Sequence, residues 1–303
     1  MNIAVFSPHT RRNGNTTVAS MLALELSSRG KRVCLTHTNP RSIAMAEYFG
    51  LKDLGDDKTA NPGKLVNMLK VGAVKPEEIP EYCKPISGNI DAFTTVDGSM
   101  KEEDIEFILN YMLDSFPHEY KVFDIDTDYF SSERTKKLLQ RCDVIIIVTT
   151  QSLMELYDLK KELAKLSSLL KYKPAIMVVN KFDRHAQDIK SLQGVVGATV
   201  SKKSPWQALA YSSQFIRFSN FGKLLDLYNS MRNKDIPMME AYKNLKNIAN
   251  AVANCDRRGK QLKAKAEMDR EAKLSKSVVV GNEAANSAKE GMKLDKSEEE
   301  KSE

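Results

Sequence analysis

NIAVFSPHTRRNGNTTVASMLALEL, residues 2–26, decides the fold. Asn2 to Phe6 is a short apolar, β-prone run, Ser7 to Asn15 holds Pro8 and Gly14, and Val18, Met21, Leu22, Leu24 and Leu26 recur at helical spacing. A strand that breaks into a polar loop and continues as a helix aims the helix N-terminus at whatever lies over the loop. Free backbone N–H groups and the positive end of the helix dipole gather there, so an anion is the natural guest. Phosphate-binding loops of this kind usually end Gly-Lys-Ser/Thr, the Lys neutralising phosphate charge and the hydroxyl ligating Mg²⁺. Here the letters are Gly14, Asn15, Thr16 and Thr17, and Asn15 brings a hydrogen bond but no positive charge.

A wider frame makes the pattern specific. Residues 10–40 read TRRNGNTTVASMLALELSSRGKRVCLTHTNP. In order and spacing this resembles the ParA/MinD-type ATPases, whose loop reads KGGVGKTT, followed by an Ala- and Leu-rich helix and then GKRVLLIDxDP. Gly14, Thr16, Thr17, Gly30, Lys31, Arg32, Val33 and Pro40 match. Thr10 stands where that family has its signature lysine, Asn15 where it has the ordinary loop lysine, and His37 and Asn39 where it has two aspartates.

The 303 residues, 42% hydrophobic, suffice for one large core and a tail. No apolar run approaches a membrane span and the N-terminus lacks a signal-peptide pattern, so a soluble cytoplasmic protein without membrane insertion is expected. Cys34, Cys83, Cys142 and Cys255 are scattered without metal-type spacing and read as small buried hydrophobes. The net charge of +6 has basic points at Arg11-Arg12, Lys136-Lys137, Lys202-Lys203 and Arg257-Arg258. These suit non-specific contact with DNA, and equally suit ordinary solvated faces, because 28% of residues are charged and acidic ones are interspersed.

Further along, Lys31 to Thr36 reads as a second strand, Asn39 to Leu51 as a turn and short helix, residues 53–63 as a surface loop, and Lys64 to Val71 as a helix. Ile86 to Val96 reads as one strand, which the resemblance places beside the phosphate-loop strand, closing at Asp97-Gly98. Met100 to Phe116 is an amphipathic helix with Glu102, Glu103 and Asp104 in its first turn. It leads into YKVFDIDTD, which resembles the family's YDxVIIDTP. The resemblance puts Asp126 near Mg²⁺ and the attacking water, with Thr127 beside it; the other role for Asp126 is a helix or turn cap, and Asp128 is a rival for either. Asp124 replaces an apolar residue and demands solvent or a partner. DVIIIVTT, residues 143–150, is a buried parallel strand. It is followed by a helix with Leu156, Leu159, Leu163, Leu166 and Leu170 on one side.

Residues 174–183, PAIMVVNKFD, form another buried strand. Three readings of its end stay open: Asn180 contacts adenine, as the resemblance implies; Asn180, Lys181 and Asp183 read guanine, as in the NKxD string of GTPases; or the segment is a strand-end turn. Residues 205–225 resemble the family's last core strand and nucleotide-side loop, with Ala210 to Gln214 as the loop and Gly222-Lys223 as a turn. Phe215, Phe218 and Phe221 at three-residue spacing read as core.

The expected fold is α/β, a doubly wound, mainly parallel sheet flanked by helices, with a C-terminal helix and a disordered tail. The domains are residues 1–235, a helical extension 236–274, and a charged tail 275–303 that lacks the apolar content to order itself. The resemblance, spanning residues 2–225, implies ATP and Mg²⁺ as cofactors. Arg11, Arg12, Asn13, Gly14, Asn15, Thr16, Thr17 and Asn180 would hold the nucleotide, Thr16 and Asp126 the metal, and Asp126 is the catalytic candidate. It also implies a homodimer with protein partners. Because both loop lysines and the aspartates of DxDP are replaced, the expectation is a degenerate ParA/MinD-like positioning or scaffold factor resembling the TadZ/CpaE branch, with weak or absent hydrolysis. The alternative is an active ParA-type ATPase of plasmid or chromosome partitioning.

Overall fold

The computed structural model describes residues 1–7, 13–38, 44–51, 62–94, 100–125, 133–197 and 204–255. The opening stretch folds as its pattern dictates: strand β1 (Asn2–Phe6), then helix α1 (Asn15–Ser28). There follow β2 (Val33–His37), α2 (Ala44–Tyr48), α3 (Pro62–Lys70), a 3-10 turn over Pro76–Tyr82, β3 (Lys84–Ser87) and β4 (Ile90–Phe93). Next come α4 (Glu102–Ser115), β5 (Tyr120–Asp124), α5 (Glu133–Arg141), β6 (Val144–Thr149), α6 (Leu153–Lys165) and α7 (Ser167–Leu170). The chain continues with β7 (Ala175–Phe182), α8 (Ile189–Val196), β8 (Trp206–Ala210), α9 (Ser213–Asn220) and α10 (Leu224–Asn233). The last described helix, α11, covers residues 239–255.

The eight strands form one sheet in the order β3-β4-β2-β5-β1-β6-β7-β8. Every neighbouring pair is parallel except β3 with β4. From β1 the chain winds one way through β2 and the other way through β6, β7 and β8. The reversal beside β1 opens a crevice at the C-terminal strand ends, where doubly wound sheets bind ligands.

Alternation along the strands feeds two cores. Ile3, Val5, Leu35, Val122 and Ile146 face α1, α10 and α11, whereas Ala4, Phe6, Phe123, Ile145 and Ile147 face α4, α5, α6 and α8. Helix α1 is sheathed on both sides, by the sheet and by α10 and α11, so Val18 to Ser27 are buried without interruption. Helix α11 sends Ala241, Leu245, Ile248 and Val252, at helical spacing, into the α1 core. Compact packing extends over Met1–Gly259. The remainder of the extension expected to residue 274, and the tail from Ser275, lie outside the described residues.

The segment expected to be one strand over residues 86–96 is instead the hairpin β3–β4, turning at Gly88-Asn89. A Gly-Asn pair between two β-prone runs is a hairpin signal. Nor does this segment lie beside β1, because β4 pairs with β2, and β2 and β5 separate it from β1. The expected turn at Asp97-Gly98 lies outside the described residues. Of the three phenylalanines read as core, Phe215 is buried and Phe218 packs partly, but Phe221 is 71% exposed, since it caps α9 beyond the helix's buried face. All four cysteines are reduced and buried.

Candidate functional site

The phosphate-loop region is closed by side chains the sequence places far apart. Ser7, fully buried, leaves β1, and Asn13 Nδ2 donates to its Oγ at 2.6 Å across the base of the loop. Asn180 Nδ2, arriving from β7, donates to the Asn13 carbonyl at 2.6 Å. Gly14 lies between them with φ +81°, and a Cβ there would stand 2.2 Å from Asn180 Nδ2. Only glycine serves, for its left-handed backbone and for its missing side chain. Helix α1 then begins at Asn15 with no side-chain cap. Its first N–H groups have no intrahelical acceptor, so they are open to an anion.

Asn180 reaches the loop because β7 is irregular. The register with β8 shifts between Val179 and Phe182, and Lys181 adopts φ +54°. A non-glycine residue in the left-handed region costs of order 1–3 kcal/mol, and such strain concentrates at ligand sites. The shift buries Asn180 against Asn13 and leaves Lys181 exposed at the rim. The cleft beside it is lined by residues from α1, α2, β7, β8 and α9. Gly14, Thr17 and Asn180 line it together with Tyr48, Tyr211 and Phe215.

Tyr48 comes from α2 and hydrogen-bonds the Thr17 side chain; burial pushes its phenol up from the ordinary value, partly offset by that bond. Behind it, at the ends of β2 and β5, His37 Nε2 lies 3.5 Å from Asp124 Oδ2 with both side chains almost fully buried. The two residues are register partners. Where the resemblance has a carboxylate on β2, this chain carries histidine, and the carboxylate stands one strand over. Asp124 thus has the partner its position demands. Asn15, at the place of the loop lysine, has Oδ1 buried without a hydrogen-bond partner among the described residues.

The fold therefore gathers Gly14, Thr17 and Asn180 at one cleft, with Asn13 bonded to Asn180 behind it and Asn15 and Thr16 in the first turn of α1. Arg11, Arg12 and Asp126, like Thr10 and Asn39, lie outside the described residues. Asp183 is not at the cleft: its Oδ1 accepts the His185 N–H at 2.9 Å, and its own N–H donates to Gln151 Oε1. That geometry is a strand-end turn and leaves the NKxD string without its guanine-facing carboxylate. Tyr48 and Ser7 joined the site through tertiary packing without a specific sequence signal, whereas Lys181 stood in the NKxD string and Asp124 as a charge inside a strand.

No family model matches the chain, and no curated protein matches it. Among solved structures it is similar to MinD in the MinC:MinD cell division complex of Aquifex aeolicus, at 15% identity over 84% of this chain and 95% of the other, with TM-score 0.60. A plasmid partition protein of Borrelia burgdorferi bound to AMPPNP gives 19% identity, 82% and 97% coverage, and TM-score 0.56. MinD of Pyrococcus horikoshii complexed with Mg-ADP gives 13% identity, 83% and 95% coverage, and TM-score 0.57. At these identities the likeness is one of fold, and the fold is that of the MinD/ParA nucleotide-loop ATPases. No described helix is long and apolar enough to cross a membrane.

Proposed function

We propose that this protein binds a nucleotide in the cleft between Gly14, Asn180 and Tyr211 and acts as a cytoplasmic positioning or scaffold factor, a degenerate ParA/MinD-like protein resembling the TadZ/CpaE branch. The carrying observation is the joined cleft itself: a glycine-dependent loop, an uncapped helix start and an open cleft beside them, with Asn15 in place of the phosphate-neutralising lysine. The residues fit a nucleotide. Backbone N–H groups of α1 receive phosphate, Arg11 and Arg12 supply cationic charge, and Thr16 with Asp126 holds Mg²⁺. When bound, Mg²⁺ neutralises phosphate charge and orients it. Thr10 and Asn15 stand in place of the two loop lysines that would stabilise the charge developing on a transferring phosphoryl group, so hydrolysis is weak or absent.

Solved neighbours carrying AMPPNP and Mg-ADP support ATP as the ligand, and the MinC:MinD complex supports a protein partner. A homodimer is part of the proposal, as is non-specific DNA as a possible surface partner. Met154 and Tyr157, exposed in the first two turns of α6, suit a protein contact there.

The test is binding of a fluorescent ATP analogue with Mg²⁺, paired with phosphate release. Wild type is expected to bind saturably with release near background, and Thr16→Ala to bind more weakly. Asn15→Lys is expected to tighten binding at least tenfold, the scale of one charged hydrogen bond. No binding at near-millimolar nucleotide would overturn the reading. Phosphate release stimulated by DNA and abolished by Thr16→Ala would replace it with an active partition ATPase.

A further inference from the structure

Helix α11 reaches the far end of the cleft. Asn244 Oδ1 accepts the Ala210 N–H at 3.1 Å, and Ala210 is both the last residue of β8 and part of the cleft wall, with Tyr211 and Ser212 next to it. Strand β8 is the edge of the sheet. The following amide, Tyr211 N–H, turns inward to the Phe182 carbonyl at 3.0 Å, so the Ala210 amide faces outward, where no further strand pairs with it. Asn244 supplies at that point the acceptor a ninth strand would have provided.

Two residues further along, the same helix is tied to the C-terminal end of α1, the end remote from the cleft. Arg29, at the end of α1, donates to the Lys246 carbonyl at 3.3 Å and to Asn250 Oδ1 at 2.9 Å, while its guanidinium also grips Glu25. One helix therefore holds the end of β8 that lines the cleft and, separately, the end of α1 remote from it.

We infer that Asn244 is a positioning residue of the cleft, holding Ala210 to Ser212 from α11 in the place a nucleotide base requires. The inference rests on the nucleotide reading above and identifies the support of its base side. It follows that a change in α11 alters the grip on the base and leaves the grip on phosphate in place.

The experiment uses the full chain as wild type, Asn244→Leu, which removes the acceptor, and Asn244→Asp, which keeps it. Amide hydrogen exchange over residues 206–214 is followed without ligand, and affinities are measured for a fluorescent ATP analogue and for inorganic triphosphate. Asn244→Leu is expected to exchange faster at Ala210 and to weaken ATP about fivefold, the worth of one neutral hydrogen bond. Its triphosphate affinity should stay within about twofold of wild type, and Asn244→Asp should restore both exchange and ATP binding. Unchanged exchange in Asn244→Leu, or equal loss of ATP and triphosphate, overturns the inference, the latter because a general loosening acts on both ligands. If wild type takes neither ligand, the nucleotide reading falls, and exchange alone judges the support: lost protection restored by Asp upholds it, and unchanged protection overturns it.

Discussion

Gly50 and Gly222 show how single residues shape the cleft without touching a ligand. Both end helices in the left-handed conformation, with the bond pattern of a Schellman cap: Leu51 N–H reaches the Ala46 carbonyl, and Lys223 N–H the Phe218 carbonyl. The two caps meet back to back, and a Cβ on Gly222 would lie 2.8 Å from the Gly50 Cα. This contact sets α2, with Tyr48, against α9, with Phe215. Gly222→Ala is expected to cost about 2–4 kcal/mol, combining left-handed strain with a backbone clash. Gly72 has a similar φ of +70° with nothing within 4 Å of an added Cβ, so Gly72→Ala should cost only about 1 kcal/mol. Urea unfolding midpoints of the two variants separate packing from strain, and equal losses would deny the contact its role.

At the scale of elements, the docking of α10 and α11 on α1 turns on one buried carboxylate. Glu25 is held by the Arg29 guanidinium through Oε1 and by the Tyr228 hydroxyl through Oε2 at 2.9 Å, and that hydroxyl also meets Ser28 Oγ at 2.7 Å. Burial pushes the Tyr228 phenol well above its ordinary value, so it remains a neutral donor to Glu25 throughout the physiological range. Arg29→Ala leaves a carboxylate whose side chain is 3% exposed without its cation and removes the polar tie between α1 and α11. The expected loss is about 2–3 kcal/mol in urea denaturation. Arg29→Lys should recover only part of it, because an ammonium cannot span Glu25, Lys246 and Asn250 as the planar fork does. Full recovery by Lys would mean that charge alone, and not the fork, docks the helix.

For the molecule as a whole, two cores bury every cysteine. Burial pushes the Cys142 thiol up to about 12, and Cys83 is raised by its bond to Cys34 and by burial. A thiol whose folded pKa lies above its unfolded value stays protonated where a free cysteine begins to ionise, and the thiolate is the nucleophile. Native protein at pH 8 should therefore leave an aromatic disulfide reagent unreacted over minutes, and all 4 cysteines should react in denaturant. Rapid modification of the native chain would show that one of the cores opens readily.

The α/β class, the strand-loop-helix at the N-terminus, the order of buried strands and the Leu stripe of α6 were legible in the residues, because burial on one or both faces leaves its period in local sequence. The same legibility extended to Gly14, to the start of α1 after the loop, and to Asp124 as a charge in need of a partner. Where side chains aim was decided only in three dimensions. A register shift on β7 turned Asn180 onto Asn13 and Asp183 into a turn. Strand pairing set His37 against Asp124, and α2 swung Tyr48 over Thr17. The pairing of the Gly88-Asn89 hairpin with β2 was set by the sheet, and α11 joined the core from beyond residues 2–225, where the sequence resemblance ends. Local patterning encodes how much of a segment is buried. Contacts between residues far apart in the chain depend on register, bulges and helix docking, which no local window contains.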